Sequence, residues 1–100
     1  MKTTNKQAST FVNAKQKFEA SNLNGIHKGT LYIVYSYGWY PLFVYSREDN
    51  IWLENSDKYS PSTSRQQSQS RPDCETVKVT HEGLRNLIAV YGRGEIRNIA

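Results

Sequence analysis

The chain is poor in several things at once. Its 100 residues hold one cysteine, Cys74, so no intrachain disulfide can form, and a reduced cytosolic setting is the simplest reading. No apolar run approaches the ~18 residues of a membrane span. The first ten residues, MKTTNKQAST, lack the apolar core of a secretory signal. Two histidines, His27 and His81, stand far apart in sequence, which together with a lone cysteine leaves no zinc spacing. No glycine-rich phosphate loop is present; Gly92-Arg93-Gly94 is too little for one. The acids flanking Cys74, Asp73 and Glu75, disfavour a reactive thiolate. Glu48, Asp49, Glu54 and Asp57 gather around one short strand without a spacing that pairs them for acid–base work. The sequence therefore excludes most metal and nucleophile chemistry and points to a non-enzymatic protein with no metal and no cofactor.

Aromatic side chains are what the chain has in excess. Seven Tyr, three Phe and two Trp stand within a hydrophobic fraction of 37%, and five of the tyrosines fall between residues 32 and 45. Large rings let a small domain bury much area with few residues. The charge is +4 with a pI near 9.3. That permits nucleic acid or an acidic protein surface as partner without demanding either. Residues 1–28 carry five Lys against one Glu.

Hydrophobic periodicity predicts a small α+β domain. Residues 1–9 read as a flexible polar arm, 10–92 as a single domain and 93–100 as a tail. Phe11 and Phe18 share a helical face, which predicts a helix over 10–21, with an extended, partly disordered arm as the alternative; Asn22 to Gly29 is a loop by composition. Seven of the eight residues from Thr30 to Tyr37 are β-branched, aromatic or Leu, and form the strongest strand signal. Pro41 suits a strand start or edge, with Leu42 and Val44 on one face and Phe43 and Tyr45 on the other. Residues 51–55 and 75–79 read as further strands. Leu84, Leu87, Ile88 and Tyr91 mark a helix over 81–91, capped by Thr80 and ended by Gly92 in the left-handed conformation. The expected architecture is a three- to four-stranded antiparallel sheet. The C-terminal helix, joined by the N-terminal one, covers one face and leaves the other open. An aromatic edge strand offers a route to a homodimer.

Between these elements lies Asp57 to Pro72, with five serines, two arginines, three glutamines and no aliphatic side chain. Ser60-Pro61 resembles a cap followed by proline at the first helical position, so a short helix over 61–69 competes with a loop. Hydroxyls, amides and guanidinium groups bind phosphate oxygens without reading sequence. Lys58, Ser62, Thr63, Ser64, Arg65, Gln69 and Arg71 are the candidate nucleic-acid or anion contacts, weighed against a solvated loop that satisfies its own backbone. Tyr37, Trp39 and Tyr40, in and beside the turn after the strongest strand, are the candidate exposed aromatics. Such rings stack unpaired bases or grip a protein.

Several segments together resemble a group of small domains found in bacteriophage and mobile-element genomes. They are Phe18-x-Ala20-Ser21-Asn22-Leu23, Tyr35-Ser36-Tyr37-Gly38-Trp39-Tyr40-Pro41-Leu42-Phe43-Val44-Tyr45, Trp52, residues 55–64 and Gln69-Ser70-Arg71-Pro72. The resemblance spans residues 18–72 and carries no chemistry with it. In that group a histidine often stands where this chain has Gln66 or Gln67, which weakens acid–base work there. The resemblance implies an accessory protein of a phage or mobile element, acting in the bacterial cytoplasm. From the Ser/Arg-rich stretch and the candidate exposed aromatics, nucleic acid is the first expected partner. A bacterial host protein is the second, as for an inhibitor of restriction or CRISPR defence, and a phosphorylated nucleotide the third.

Overall fold

The computed structural model describes residues 2–57 and 61–91. A 3-10 turn (Asn5–Gln7) leads into α1 (Ala8–Asn13), followed by strands β1 (Phe18–Glu19), β2 (Leu23–Lys28), β3 (Leu31–Ser36), β4 (Tyr40–Ser46) and β5 (Ile51–Asn55). The chain continues through α2 (Pro61–Ser70), β6 (Thr76–Val79) and α3 (His81–Tyr91). The strands form one mixed sheet in sequence order. Neighbours from β1 to β5 run antiparallel, and β6 runs parallel to β5.

Six strands replace the expected three or four, and both additions have a physical reason. The segment Asn22 to Gly29, a loop by composition, contains β2. Leu23 and Gly25 alternate inward, and Gly25 is required by close packing, because a Cβ there would meet the Phe18 ring at 2.6 Å and the Tyr32 hydroxyl closer still. The expected helix over 10–21 stops at Asn13. Lys15 takes a positive φ of 53°, and Phe18 enters β1, stacked 5.9 Å from Phe11. Residues 2–9, expected to be an arm, are tied in. The Thr3 amide donates to the Glu19 carbonyl at 2.8 Å, and Ala8 is fully buried.

Two cores flank the sheet, so the expected single covered face is corrected: α1 and α3 pack on opposite faces because each carries its own apolar stripe. On one face α1 and α2 pack over Phe18, Leu23, Tyr32, Val34, Phe43 and Trp52. On the other, α3 lies across β4 and β5, where Leu84 and Ile88 meet Leu31, Ile33, Val44 and Leu53. The expected strict alternation in β4 fails at one place. Val34 pairs with Phe43 but Tyr35 with Pro41, so Leu42 is an extra residue and joins Phe43 in the first core. Proline, which cannot donate to a ladder, stands at this bulge.

The Ser/Arg/Gln stretch is α2, the crossover between the parallel strands β5 and β6. Parallel neighbours need such a crossover. Its inward face is polar. The Ser36 hydroxyl donates to Gln66 Oε1, Gln67 Nε2 donates to the Asn55 carbonyl at 2.8 Å, and the Ser70 hydroxyl donates to the Gln66 carbonyl at 2.7 Å. Buried amides are tolerated because each finds a partner. At the start of α3 the Thr80 hydroxyl accepts the Gly83 amide at 3.1 Å, the expected cap. The expected α2 cap Ser60 and the terminator Gly92 lie outside the described residues, as does the tail 93–100.

Candidate nucleic-acid interface

The turn between β3 and β4 is built to project rings. Tyr37 and Gly38 have φ of 55° and 80°, and the Trp39 amide donates to the Ser36 carbonyl at 3.2 Å. Two successive positive φ values are the signature of primed hairpin turns. Glycine adopts this conformation freely, whereas a bulky side chain pays for it, so Tyr37 holds local strain. Tyr37 and Trp39 are 50% and 52% exposed.

Tyr40 departs from expectation. It is 4% exposed, with its ring stacked on His81 at 4.5 Å and 12°, and its hydroxyl donating to the Asp57 carbonyl at 3.0 Å. Burial pushes its hydroxyl pKa up, and Asp57 adds to the shift. The reason lies in the alternation that starts β4: Tyr40 pairs with Ser36 and turns inward. It then acts as a support, because Trp39 rests edge-on against it at 5.4 Å and 78°. Asn55 completes the support, with its Nδ2 donating to the Pro41 carbonyl at 2.8 Å and its Oδ1 accepting the Asp57 amide at 2.9 Å.

α3 leaves part of its face uncovered. Asn24, Ile26 and Lys28 of β2 pair with Tyr35, Ile33 and Leu31, and so share the α3 face of the sheet. Among the described residues α3 packs chiefly on β4 and β5, while Asn24 and Ile26 are half-buried and Lys28 is exposed. Where this open strip meets α3, a groove of about 220 Å³ is lined by Lys28, Tyr35, Trp39, Pro41, Arg85 and Ile88. Neither Lys28 nor Arg85 forms an ion pair with another described residue. Burial raises the Tyr35 hydroxyl pKa above its ordinary value. Two rings with a flat face and two cations in one groove can stack a base and hold a phosphate.

The other expected contacts are distributed differently. Arg71 makes a bidentate pair with Glu54, both bonds 2.9 Å, and its guanidinium lies 5.5 Å from the Phe43 ring centroid. It is a fold-holding residue, and its hydrogen bonds hold the Glu54 carboxyl below the ordinary range against the upward push of burial. Arg65 is exposed on α2 and Gln69 is half-buried there. Ser62, Thr63 and Ser64 fall at the start of α2, and Lys58 lies outside the described residues. The structure thus brings Tyr37 and Trp39 together in one turn and leaves the α2 residues on the opposite face. Tyr35, Lys28 and Arg85 were missed. Tyr35 and Lys28 become legible only once β2 is recognised, since their common face follows from its register. Arg85 gives no signal beyond its place on the polar side of α3. No family model, curated protein or solved structure matches the chain.

Proposed function

We propose that the protein is a non-enzymatic binder of single-stranded nucleic acid that works through the groove beside α3. Bases stack on Trp39 and Tyr35, and Lys28 and Arg85 take the backbone phosphates. The observation that carries this reading is the joint lining of one open groove by two aromatic side chains and two cationic ones that form no ion pair with another described residue. The excess of positive charge supports it, and so does the edge-on contact of Trp39 with the buried Tyr40 ring, which restrains the indole. A held ring loses little entropy on stacking. A groove walled by a helix admits splayed bases and excludes a duplex, whose bases are already stacked. The setting implied by the phage-like resemblance, the cytoplasm of a bacterial host, belongs to the same proposal.

The test is fluorescence anisotropy with labelled single-stranded DNA, single-stranded RNA and duplex DNA at two salt concentrations. The expected result is binding to single strands that weakens with salt, with duplex weaker. Trp39→Ala should lower affinity by about tenfold, since a base–aromatic stack contributes roughly 1–3 kcal/mol. Absence of binding to every probe at low salt would overturn the proposal. The exposed aromatic turn would then be read as the docking point for a host protein.

A further inference from the structure

A second concavity, of about 630 Å³, opens on the other side of the same turn. Its lining includes Lys17, Glu19, Asn22, Asn24, Ile26 and Tyr37. It adjoins the groove beside α3 through two direct links. Asn24 of the second concavity pairs across the sheet with Tyr35 of the groove, and on β2 Ile26 stands two residues before Lys28 on the same face. Residues two apart on a strand are about 6.5–7 Å apart, close to the step between neighbouring nucleotides in an extended single strand. The turn is fixed against this wall, because the Tyr37 amide donates to the Asn22 carbonyl at 2.9 Å.

We infer that this concavity is a second nucleotide subsite, so that the protein holds at least two consecutive nucleotides of one strand. Tyr37 stands at the boundary as a divider on which the second base stacks. The inference rests on the single-strand reading above. The two subsites differ in chemistry. The groove beside α3 offers rings and cations, which accept any base. The second offers two amide side chains, Asn22 and Asn24, which both donate and accept hydrogen bonds and therefore discriminate between base edges. Lys17 attracts the phosphate, while the Glu19 carboxylate repels it and accepts a hydrogen bond from an exocyclic amino group. Base preference accordingly arises in the second subsite, and general affinity in the first.

The experiment is a length series of labelled DNA and RNA oligonucleotides, from one to six nucleotides, in each of the four homopolymers. It is read with the wild-type chain, Tyr37→Gly and Asn24→Ala. Glycine suits the positive φ at position 37, so the turn survives while the ring is lost. The wild type should gain about tenfold in affinity from one nucleotide to two or three, with a several-fold preference among bases that appears only at the longer length. Tyr37→Gly should lose the gain with length, and Asn24→Ala should lose the preference. The DNA and RNA arms show whether the ribose hydroxyl adds to either. If affinity does not rise with length while Trp39→Ala still weakens binding, the second subsite is wrong and the first reading stands. If neither variant changes the length series, the inference falls equally. If no oligonucleotide binds, both fall.

Discussion

The two faces of the sheet are covered by different means. The face under α1 and α2 is closed partly by apolar side chains of α1, of which Ala8 and Val12 are fully buried, and partly by α2, where Gln66, Gln67 and Ser70 are buried with hydrogen-bond partners. The face under α3 is closed by an ordinary apolar stripe, of which Leu84 and Ile88 are buried, and that closure stops short of β2. The polar segment therefore shapes the fold, whereas the more conventional helix leaves the strip where rings and cations meet solvent. Polar composition is a poor guide to exposure when each amide has a geometric partner. Partial covering is a better guide to a binding surface.

The largest effect should come from breaking the apolar closure. Leu84 is fully buried, so Leu84→Asp should cost on the order of 3 kcal/mol or more in chemical denaturation, because an unpaired charge would enter the core. Leu87 is only partly buried and should give a smaller loss on the same change. Gly25→Ala should cost about 1–3 kcal/mol by overpacking against Phe18 and Tyr32.

Next comes the ion pair under the closed face. Arg71→Ala leaves the buried Glu54 carboxylate with the Thr76 hydroxyl, which donates to it at 2.6 Å. The expected loss is about 1–2 kcal/mol, below the range for fully buried pairs because the Arg71 side chain is 47% exposed. Since Glu54 has its pKa lowered in the folded state from an ordinary 4.5, its contribution is present above that value and is lost as pH falls through the folded pKa. Acid titrations of stability should show this loss in the wild type and a shallower one in Arg71→Ala.

Smaller effects separate fold from surface. Tyr37→Gly should raise stability by about 0.5–1 kcal/mol, through relief of the left-handed strain, while it weakens single-strand binding. A gain in one and a loss in the other would mark Tyr37 as kept for its ring. Arg65→Ala, on the exposed side of α2, should change stability by less than ~0.5 kcal/mol.

Much of the framework was legible in the sequence. The strand from Leu31, the strand 51–55 and the helix 81–91 follow from strong period-two and period-3.6 patterns, and Thr80 is the cap its position implied. β2 was hidden because its glycine signals close packing, and composition cannot distinguish that from a turn. The parallel pairing of β5 and β6 was hidden because the crossover helix lacks an apolar stripe. Of the expected aromatic surface, with Trp39 and Tyr40 as its most exposed pair, Trp39 and Tyr37 are exposed, whereas Tyr40 turns inward by one step of alternation. The cations of the groove come from β2 and α3, which are remote in sequence, and only the assembled sheet puts them beside Tyr35.

The most direct test of the account is the salt dependence of single-strand binding in the wild type, Arg85→Ala and Arg65→Ala. Each phosphate contact contributes about 0.7 to the slope of log affinity against log salt for a single strand. Arg85→Ala should weaken binding and lower the slope by about that amount, with Arg65→Ala leaving both unchanged. The reverse pattern, with the slope lost in Arg65→Ala and kept in Arg85→Ala, would contradict it and move the nucleic acid to the face of α2.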